Sequence, residues 1–347
     1  MTKSIEPHFL NNFGDKKKTK ILIIRSRMIG DIILSTPIIF ALKYGFKNSY
    51  IGYVVEEPYA ALVDELKEID RLHIFNKKKI FKLIYEIRKE KYDILIDLHS
   101  IPKTAWISRL SGAKFTIGFD YKDRYFLYSQ TIKPPPQFSK HSVETMMLLP
   151  NLLGLFTHPG RVIMRSSQAK ENIDKIITQK FMNKKIVVIH VAPSNNFKKW
   201  SSENYAILSN KILKMGLTPV FVGGKSDEIF IEEIKKIAKT DVNSLAGVID
   251  LKELREFISR SILYIGVDSG PAHVAATTDV PMIILYGPTS PKTFIPYRNN
   301  IDYIYSNLTC SPCRQKECLY GDYRCMNIST NKVIEKMGKY IPTIHHT

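Results

Sequence analysis

The chain has only 4 cysteines and 2 tryptophans in 347 residues, and no Asp-x-Asp pair. It also lacks any apolar run near the roughly 20 residues that span a bilayer. Each absence excludes something. The longest apolar candidate, Ile32–Leu42, is short and carries Ser35, Thr36 and Pro37, so no membrane-crossing helix is expected. Residues 1–20 are polar and lysine-rich without an apolar stretch, so no secretion signal is read there and the protein is expected in the cytoplasm. Disulfides are disfavoured in that compartment. Without an Asp-x-Asp pair, nothing points to a carboxylate-held metal bridging a diphosphate. No cofactor is therefore expected for the chemistry, and cationic side chains and helix ends must meet any phosphate charge.

At 44% hydrophobic and 24% charged, the composition is that of a globular protein, long enough for two domains with separate cores. The formal net charge is +18, which raises the question of a nucleic-acid partner. The excess is shared evenly, 25 Lys and Arg against 16 Asp and Glu in residues 1–160, and 26 against 17 thereafter. No dedicated basic domain, helix-turn-helix pattern or aromatic-studded basic face is read, so no nucleic acid is expected. Attraction to an anionic membrane surface or acceptor, or a coding bias toward lysine, accounts for the charge instead.

Strand-like apolar runs alternate with helical-period segments throughout. The first half gives strands at 20–25, 50–55, 71–75, 93–97 and 115–118. The second gives 186–191, 218–222, 242–245, 263–267 and 282–285. This rhythm predicts βαβ units and two doubly wound parallel-sheet domains, 1–160 and 161–347, facing each other across a cleft. Pro134-Pro135-Pro136 marks the approach to the boundary, and a helical stretch over 143–155 is a candidate bridge.

The richest stretch is Tyr264-Ile265-Gly266-Val267-Asp268-Ser269-Gly270-Pro271-Ala272-His273. A buried strand ends in a small-residue turn, and a helix is expected to open with Pro271 at its first position, where proline wastes no hydrogen bond. The N–H groups of Ser269, Gly270 and Ala272, with the helix dipole, then make a phosphate seat. A second turn, Gly287-Pro288-Thr289, follows the next strand at the same level. One such turn is common in α/β proteins. Two on neighbouring strands, with His273 in the first helical turn, suggest a nucleotide diphosphate site.

Other residues could carry chemistry. Asp31 opens the helix after the first strand, as an N-cap, as a general base toward a hydroxyl, or as both. In Ala192-Pro193-Ser194-Asn195-Asn196-Phe197-Lys198-Lys199-Trp200, one or both lysines could neutralise a departing diphosphate. For Lys199, a solvated loop is the stronger reading. Val222-Gly223-Gly224-Lys225-Ser226 looks like the tail of a P-loop, but Pro219 stands where its first glycine belongs, so an ATPase is rejected. The glycines instead let a nucleotide pass close to the backbone, and Asp227 or Glu228 could bind a ribose hydroxyl. Cys310, Cys313, Cys318 and Cys325, in a tail segment over 310–325, have a spacing that can hold structural zinc, or can be reduced thiols packing a small loop.

Taken in order, Ile24-Arg25-Ser26 with Ile29-Gly30-Asp31, Lys198-Lys199-Trp200, Gly223-Gly224, Leu245-Ala246-Gly247, Asp268-Ser269-Gly270-Pro271 with His273, and Tyr286-Gly287-Pro288-Thr289 resemble the lipopolysaccharide heptosyltransferases of glycosyltransferase family 9. The resemblance runs from Ile21 to about residue 340. It implies a GT-B fold, with acceptor bound by the first domain and nucleotide-sugar by the second. It also implies inverting, metal-independent transfer of heptose from ADP-heptose to the inner core of a lipid A-linked oligosaccharide. By motif, Asp31 matches the general base and Lys198 the lysine near the donor phosphates. Gly223, Glu228, Asp268, Ser269, Gly270, His273, Gly287 and Thr289 fall at donor-binding positions. Peripheral contact with the inner face of the cytoplasmic membrane follows, with Lys16-Lys17-Lys18 and Lys77-Lys78-Lys79 as candidates. Members commonly have Trp-Pro where this chain has Trp200-Ser201. A relative using another nucleotide-sugar, or a GT-B-type nucleotide-sugar epimerase, are the alternatives.

Overall fold

The computed structural model describes residues 18–155, 160–191, 196–240, 242–299, 301–313 and 315–341. Lys16, Lys17 and the loop residues Ala192, Pro193, Ser194 and Asn195 lie outside the described residues. The chain divides after Arg165 into two compact units. Residues ahead of the division are tied to the first unit: the Ile163 N–H donates to Thr36 Oγ1 (3.0 Å) and Arg165 pairs with Glu68 (2.9 Å).

The first unit is built from β1 (Lys20–Ile24), α1 (Ile29–Gly45), β2 (Tyr50–Glu56), β3 (Arg71–Phe75), α2 (Ile80–Glu90), β4 (Ile94–Asp97), α3 (Pro102–Leu110), β5 (Phe115–Phe119), β6 (Gln130–Ile132) and α4 (Ser142–Asn151). All six strands are parallel, in the order β3-β2-β1-β4-β5-β6. The central strands are apolar on both faces because helices cover both faces. Leu22, Ile24 and Leu95 meet Leu83, Ile84 and Ile87 of α2 and Ile107 of α3 in one core. On α1, a stretch from Ile32 to Ile39 is buried all round, as a core helix should be. Its Pro37 cannot donate to the Ile33 carbonyl, and the Thr36 hydroxyl donates to that oxygen instead (2.7 Å). The helix read over 143–155 is α4, which packs on α1 within this unit.

The second unit contains α5 (Lys170–Lys180), β7 (Ile186–His190), α6 (Ser202–Lys214), β8 (Thr218–Val222), α7 (Glu228–Ala238), β9 (Asn243–Ser244), α8 (Leu251–Ser259), β10 (Leu263–Val267), α9 (Gly270–Ala275), β11 (Met282–Tyr286), α10 (Pro291–Phe294), β12 (Ile301–Tyr305) and α11 (Thr330–Gly338). Its sheet is again six-stranded and parallel, in the order β12-β11-β10-β7-β8-β9. Trp200 is fully buried, edge-on to Tyr205 at 4.8 Å, and its indole N–H donates to Ile328 O (2.8 Å). Ser201, next after Trp200, caps α6, its hydroxyl accepting from the Asn204 N–H (3.2 Å).

The edge strands β6 and β12 were not read from the sequence. Neither carries the continuous apolar run that marks a central strand, since an edge strand is half solvated. No described helix is long and apolar enough to cross a membrane.

Candidate active site

In each sheet the strand order reverses beside the first strand of the unit, between β1 and β4 and between β7 and β10. Loops leaving such a pair diverge, opening a crevice at the carboxyl ends of the strands where α/β proteins bind ligands. Of the residues singled out from the sequence, Asp31 follows the first of these strand pairs, and Lys198, Asp268, Ser269 and Gly270 follow the second.

At the β1/β4 reversal, Arg25 ties the two strand ends together. One guanidinium nitrogen donates to Leu98 O (2.8 Å), and the other lies 2.5 Å from Asp31 Oδ2. Asp31 is therefore not the N-cap. That position belongs to Met28, at φ 72° and with no side-chain cap bond, while Asp31 is the third residue of α1. A methionine at positive φ stores roughly 1–3 kcal/mol of strain, and it turns the chain so that the Asp31 carboxylate faces Arg25 rather than the helix N–H groups. Beside the pair, the Ser26 hydroxyl bonds His99 Nδ1 (2.9 Å). Burial, then Arg25 and Arg27, push the His99 imidazole down to about 4. Asp97 lies beneath, fully buried. It accepts from the His99 and Ser100 N–H groups (3.0 and 2.8 Å) and the Tyr128 hydroxyl (2.8 Å), yet burial still raises its pKa. Asp97 thus shapes the turn into α3.

At the β7/β10 reversal, Lys198 Nζ lies 2.7 Å from Asp268 Oδ2 and 3.0 Å from Asp268 O. The neighbouring Lys199 is exposed, with its ammonium 4.1 Å from the Phe230 ring centre. Lys198 alone of the two reaches this crevice. The adjoining helix α9 opens at Gly270, with Ser269 as N-cap and Pro271 second, one residue later in the helix than expected. The Ala272 N–H is committed to Ser269 O (3.2 Å), so it does not join the expected phosphate seat. The short helix closes its first turn on itself, leaving Ser269 and Gly270 as the turn's remaining main-chain donors. His273 is buried in α9.

His190, the last residue of β7, was read only as part of a strand. Its Nδ1 lies 3.3 Å from Ser269 Oγ, and burial pushes its imidazole down to about 4. It supports the Ser269 turn from below.

The glycine turns after β8 and β9 meet: the Gly247 N–H donates to Gly223 O (3.0 Å). Asp227 is occupied by the Gly224 N–H (2.9 Å), and Gly247 sits at φ 67° so close to Glu228 that a Cβ there would lie 2.6 Å from its Oε1. The Glu228 carboxylate thus lies against the Gly247 turn. Thr289 is buried, and its hydroxyl has no hydrogen-bond partner among the described residues.

The cysteine segment packs on the turn after β11. The Cys313 N–H donates to Pro288 O (2.9 Å), Ser311 Oγ donates to Gly287 O, and a Cβ on Gly287 would collide with Met326 Sδ. All four cysteines are free. Burial, then the neighbouring Cys313, Cys310 and Cys318, push the Cys325 thiol up to about 11, while main-chain N–H groups led by that of Tyr323 lower Cys318. Among the described residues, no three His, Cys, Asp or Glu side chains converge as a ligand set for a metal ion. The Cys325 thiol lies beside the Gly287 turn.

The family model for glycosyltransferase family 9 (heptosyltransferase) matches residues 80–324. The chain belongs to this family. Lipopolysaccharide heptosyltransferase 3 of Escherichia coli is 28% identical, over 79% of this chain and 85% of that protein. The crystal structure of the family 9 glycosyltransferase from Veillonella parvula superposes with a TM-score of 0.82 at 21% identity, covering 93% of this chain and 97% of that one. E. coli ADP-heptose lps heptosyltransferase II gives 0.79 at 19% identity, covering 93% and 98%. The fold is GT-B, and the protein is a glycosyltransferase of the heptosyltransferase family, whose relatives serve lipopolysaccharide core synthesis. Membership sets the epimerase alternative aside.

Proposed function

We propose that this family 9 enzyme transfers a heptose from ADP-heptose to the inner core of a lipid A-linked oligosaccharide, with inversion at the anomeric carbon and without a metal ion. The observation that carries the reading is the Lys198–Asp268 pair at the β7/β10 reversal. An ammonium has three N–H donors. Two are spent on Asp268, and the third is left for a diphosphate oxygen. The Asp268 charge orients the lysine, and the Ser269–Gly270 turn supplies main-chain N–H groups beside it. Together they meet the negative charge that builds on the leaving ADP.

Glu228 binds a ribose hydroxyl, and Gly223 keeps the backbone open for the nucleotide to lie against. Gly287, Thr289 and His273 complete the donor loop, with the buried Thr289 hydroxyl as a polar group that a ligand would satisfy. In the first unit Asp31 accepts the proton of the acceptor hydroxyl as its oxygen attacks the anomeric carbon. The C–O bond to the diphosphate breaks, and ADP leaves as the anion. The acceptor's lipid anchor places the enzyme peripherally at the cytoplasmic face of the membrane.

The test is transfer by the full chain from ADP-heptose to a soluble core oligosaccharide in EDTA, with the anomeric configuration of the product read by NMR. Inverted product from the wild type, formed about 10²–10⁴-fold more slowly by Asp31→Asn, supports the reading. Retained configuration, or transfer only after metal is added, overturns it. Transfer from another nucleotide-sugar alone would keep the mechanism and replace the donor.

A further inference from the structure

Helix α2 starts against its own dipole. Lys77, Lys78 and Lys79 precede it, its N-cap Lys79 makes no side-chain cap bond, and its first turn holds no acidic residue. Cations at that end oppose the helix dipole, so the lysine run is not there for the helix. Its apolar residues are also divided. Leu83, Ile84 and Ile87 enter the core, while Phe81 and Tyr85 point outward, 86% and 68% exposed. The neighbouring α3 does the same, burying Ile107 and presenting Trp106, 53% exposed, between Lys103 and Arg109.

These two helices cover the same sheet face and share one core, so their outer faces form one surface. The 3-10 turn Tyr125–Leu127 extends it. Leu127 packs with Ala105 of α3, and the exposed Tyr125 and Phe126 rings meet edge-to-face at 6.2 Å. The sequence reading found no aromatic-studded basic face. The structure has one, assembled from segments too far apart in sequence to be seen as a patch.

We propose that this outer face of α2, α3 and the 125–127 turn docks on the surface of an anionic lipid bilayer. Aromatic rings separated by lysine and arginine suit the membrane interface, where rings sit at headgroup depth and cations meet lipid phosphates. Each Lys or Arg near such a surface strengthens adsorption about fivefold. The face is the outside of a helix layer, whereas nucleic-acid stacking platforms set their rings along a groove that tracks the strand. The proposal takes its purpose from the lipid-linked acceptor read above, but adsorption is measured without any transfer.

Only two tryptophans are present, and Trp200 is fully buried. A change in emission on adding vesicles therefore reports Trp106. Vesicles of phosphatidylcholine alone and mixed with phosphatidylglycerol are added to the full chain, with co-sedimentation in parallel. The expected result is a blue shift and co-sedimentation with the anionic vesicles only, weakened by salt. Adsorption falls at least about tenfold in the Phe81→Ser/Tyr85→Ser variant, while transfer to a soluble acceptor stays unchanged. No blue shift, or equal adsorption by the variant, overturns the docking face even if transfer proceeds. Adsorption intact with no transfer from any donor leaves the face standing and overturns the activity reading. Concentration-dependent dimerisation, or binding of a single-stranded oligonucleotide, that the variant abolishes while vesicles are ignored would assign the face to that partner instead.

Discussion

Lys198 Nζ lies 2.7 Å from Asp268 Oδ2, and the two residues come from the loops that follow β7 and β10, where the second sheet reverses its strand order. Both side chains are largely buried, so neither charge is well solvated alone. Lys198→Met should remove the ligand-facing N–H and lower kcat by about 10²–10³-fold. It should also destabilise the second unit by about 3 kcal/mol, because Asp268 is left without its partner. Adding Asp268→Asn should restore most of the stability and none of the activity. Urea melts and turnover of the four proteins in the cycle separate the two effects.

Arg25 stands to Asp31 as Asp268 stands to Lys198, a charged neighbour that fixes direction. Asp31→Asn should cost about 10²–10⁴-fold in kcat with donor binding retained. Arg25→Lys keeps the charge but loses the planar fork that reaches Leu98 O and Asp31 together. It should lower kcat by about tenfold to 10²-fold at unchanged donor KM, as a misplaced base does. A rise in donor KM instead would move Arg25 out of this role.

Gly247→Ala tests the Glu228 placement. The left-handed backbone costs roughly 1–2 kcal/mol with any side chain, and the new methyl would sit 2.6 Å from Glu228 Oε1. Donor KM should rise while kcat changes little. A donor KM equal to that of the wild type would show that Glu228 does not touch the nucleotide.

His190 and His73 are buried with pKa values near 4, against 6.5 for a free imidazole. As pH falls from 6.5 toward 4, the unfolded chain takes up protons that the folded one refuses. Stability is therefore full above about pH 6.5 and is lost in that window, by up to about 1.4 kcal/mol per pH unit for each histidine. His190→Asn should flatten this loss in the second unit and leave the first unit's unchanged. Fluorescence melts between pH 7 and pH 5 in a Trp106→Phe background follow the second unit through Trp200.

Much of the fold was legible because central parallel strands are apolar on both faces. Thr218–Val222 and Leu263–Val267 were read to the residue on that ground, and the edge strand Arg71–Phe75 was read as well. β6 and β12 were not: β6 is only three residues long, and β12 breaks its apolar run with Asp302. Motif spacing pointed to Asp31, Lys198, Gly223 and Asp268, all of which lie at the carboxyl ends of the sheets. What spacing could not give is who faces whom. Asp31 was open to a capping role until Met28 took it, and Arg25 was seen only as part of a motif. His190 meets Ser269 across a separation of 79 residues, a pairing that only the strand order creates. A histidine ending a strand beside the reversal point was the one available signal.

The most direct test of the account is calorimetric titration of the chain with ADP, UDP and GDP in EDTA, repeated on Lys198→Met. The account predicts binding selective for ADP without metal, clearly weakened in the variant. ADP at about 100 times its dissociation constant should add roughly 2.7 kcal/mol of stability to the wild type. No ADP binding, binding only after metal is supplied, or equal affinity in Lys198→Met would contradict it.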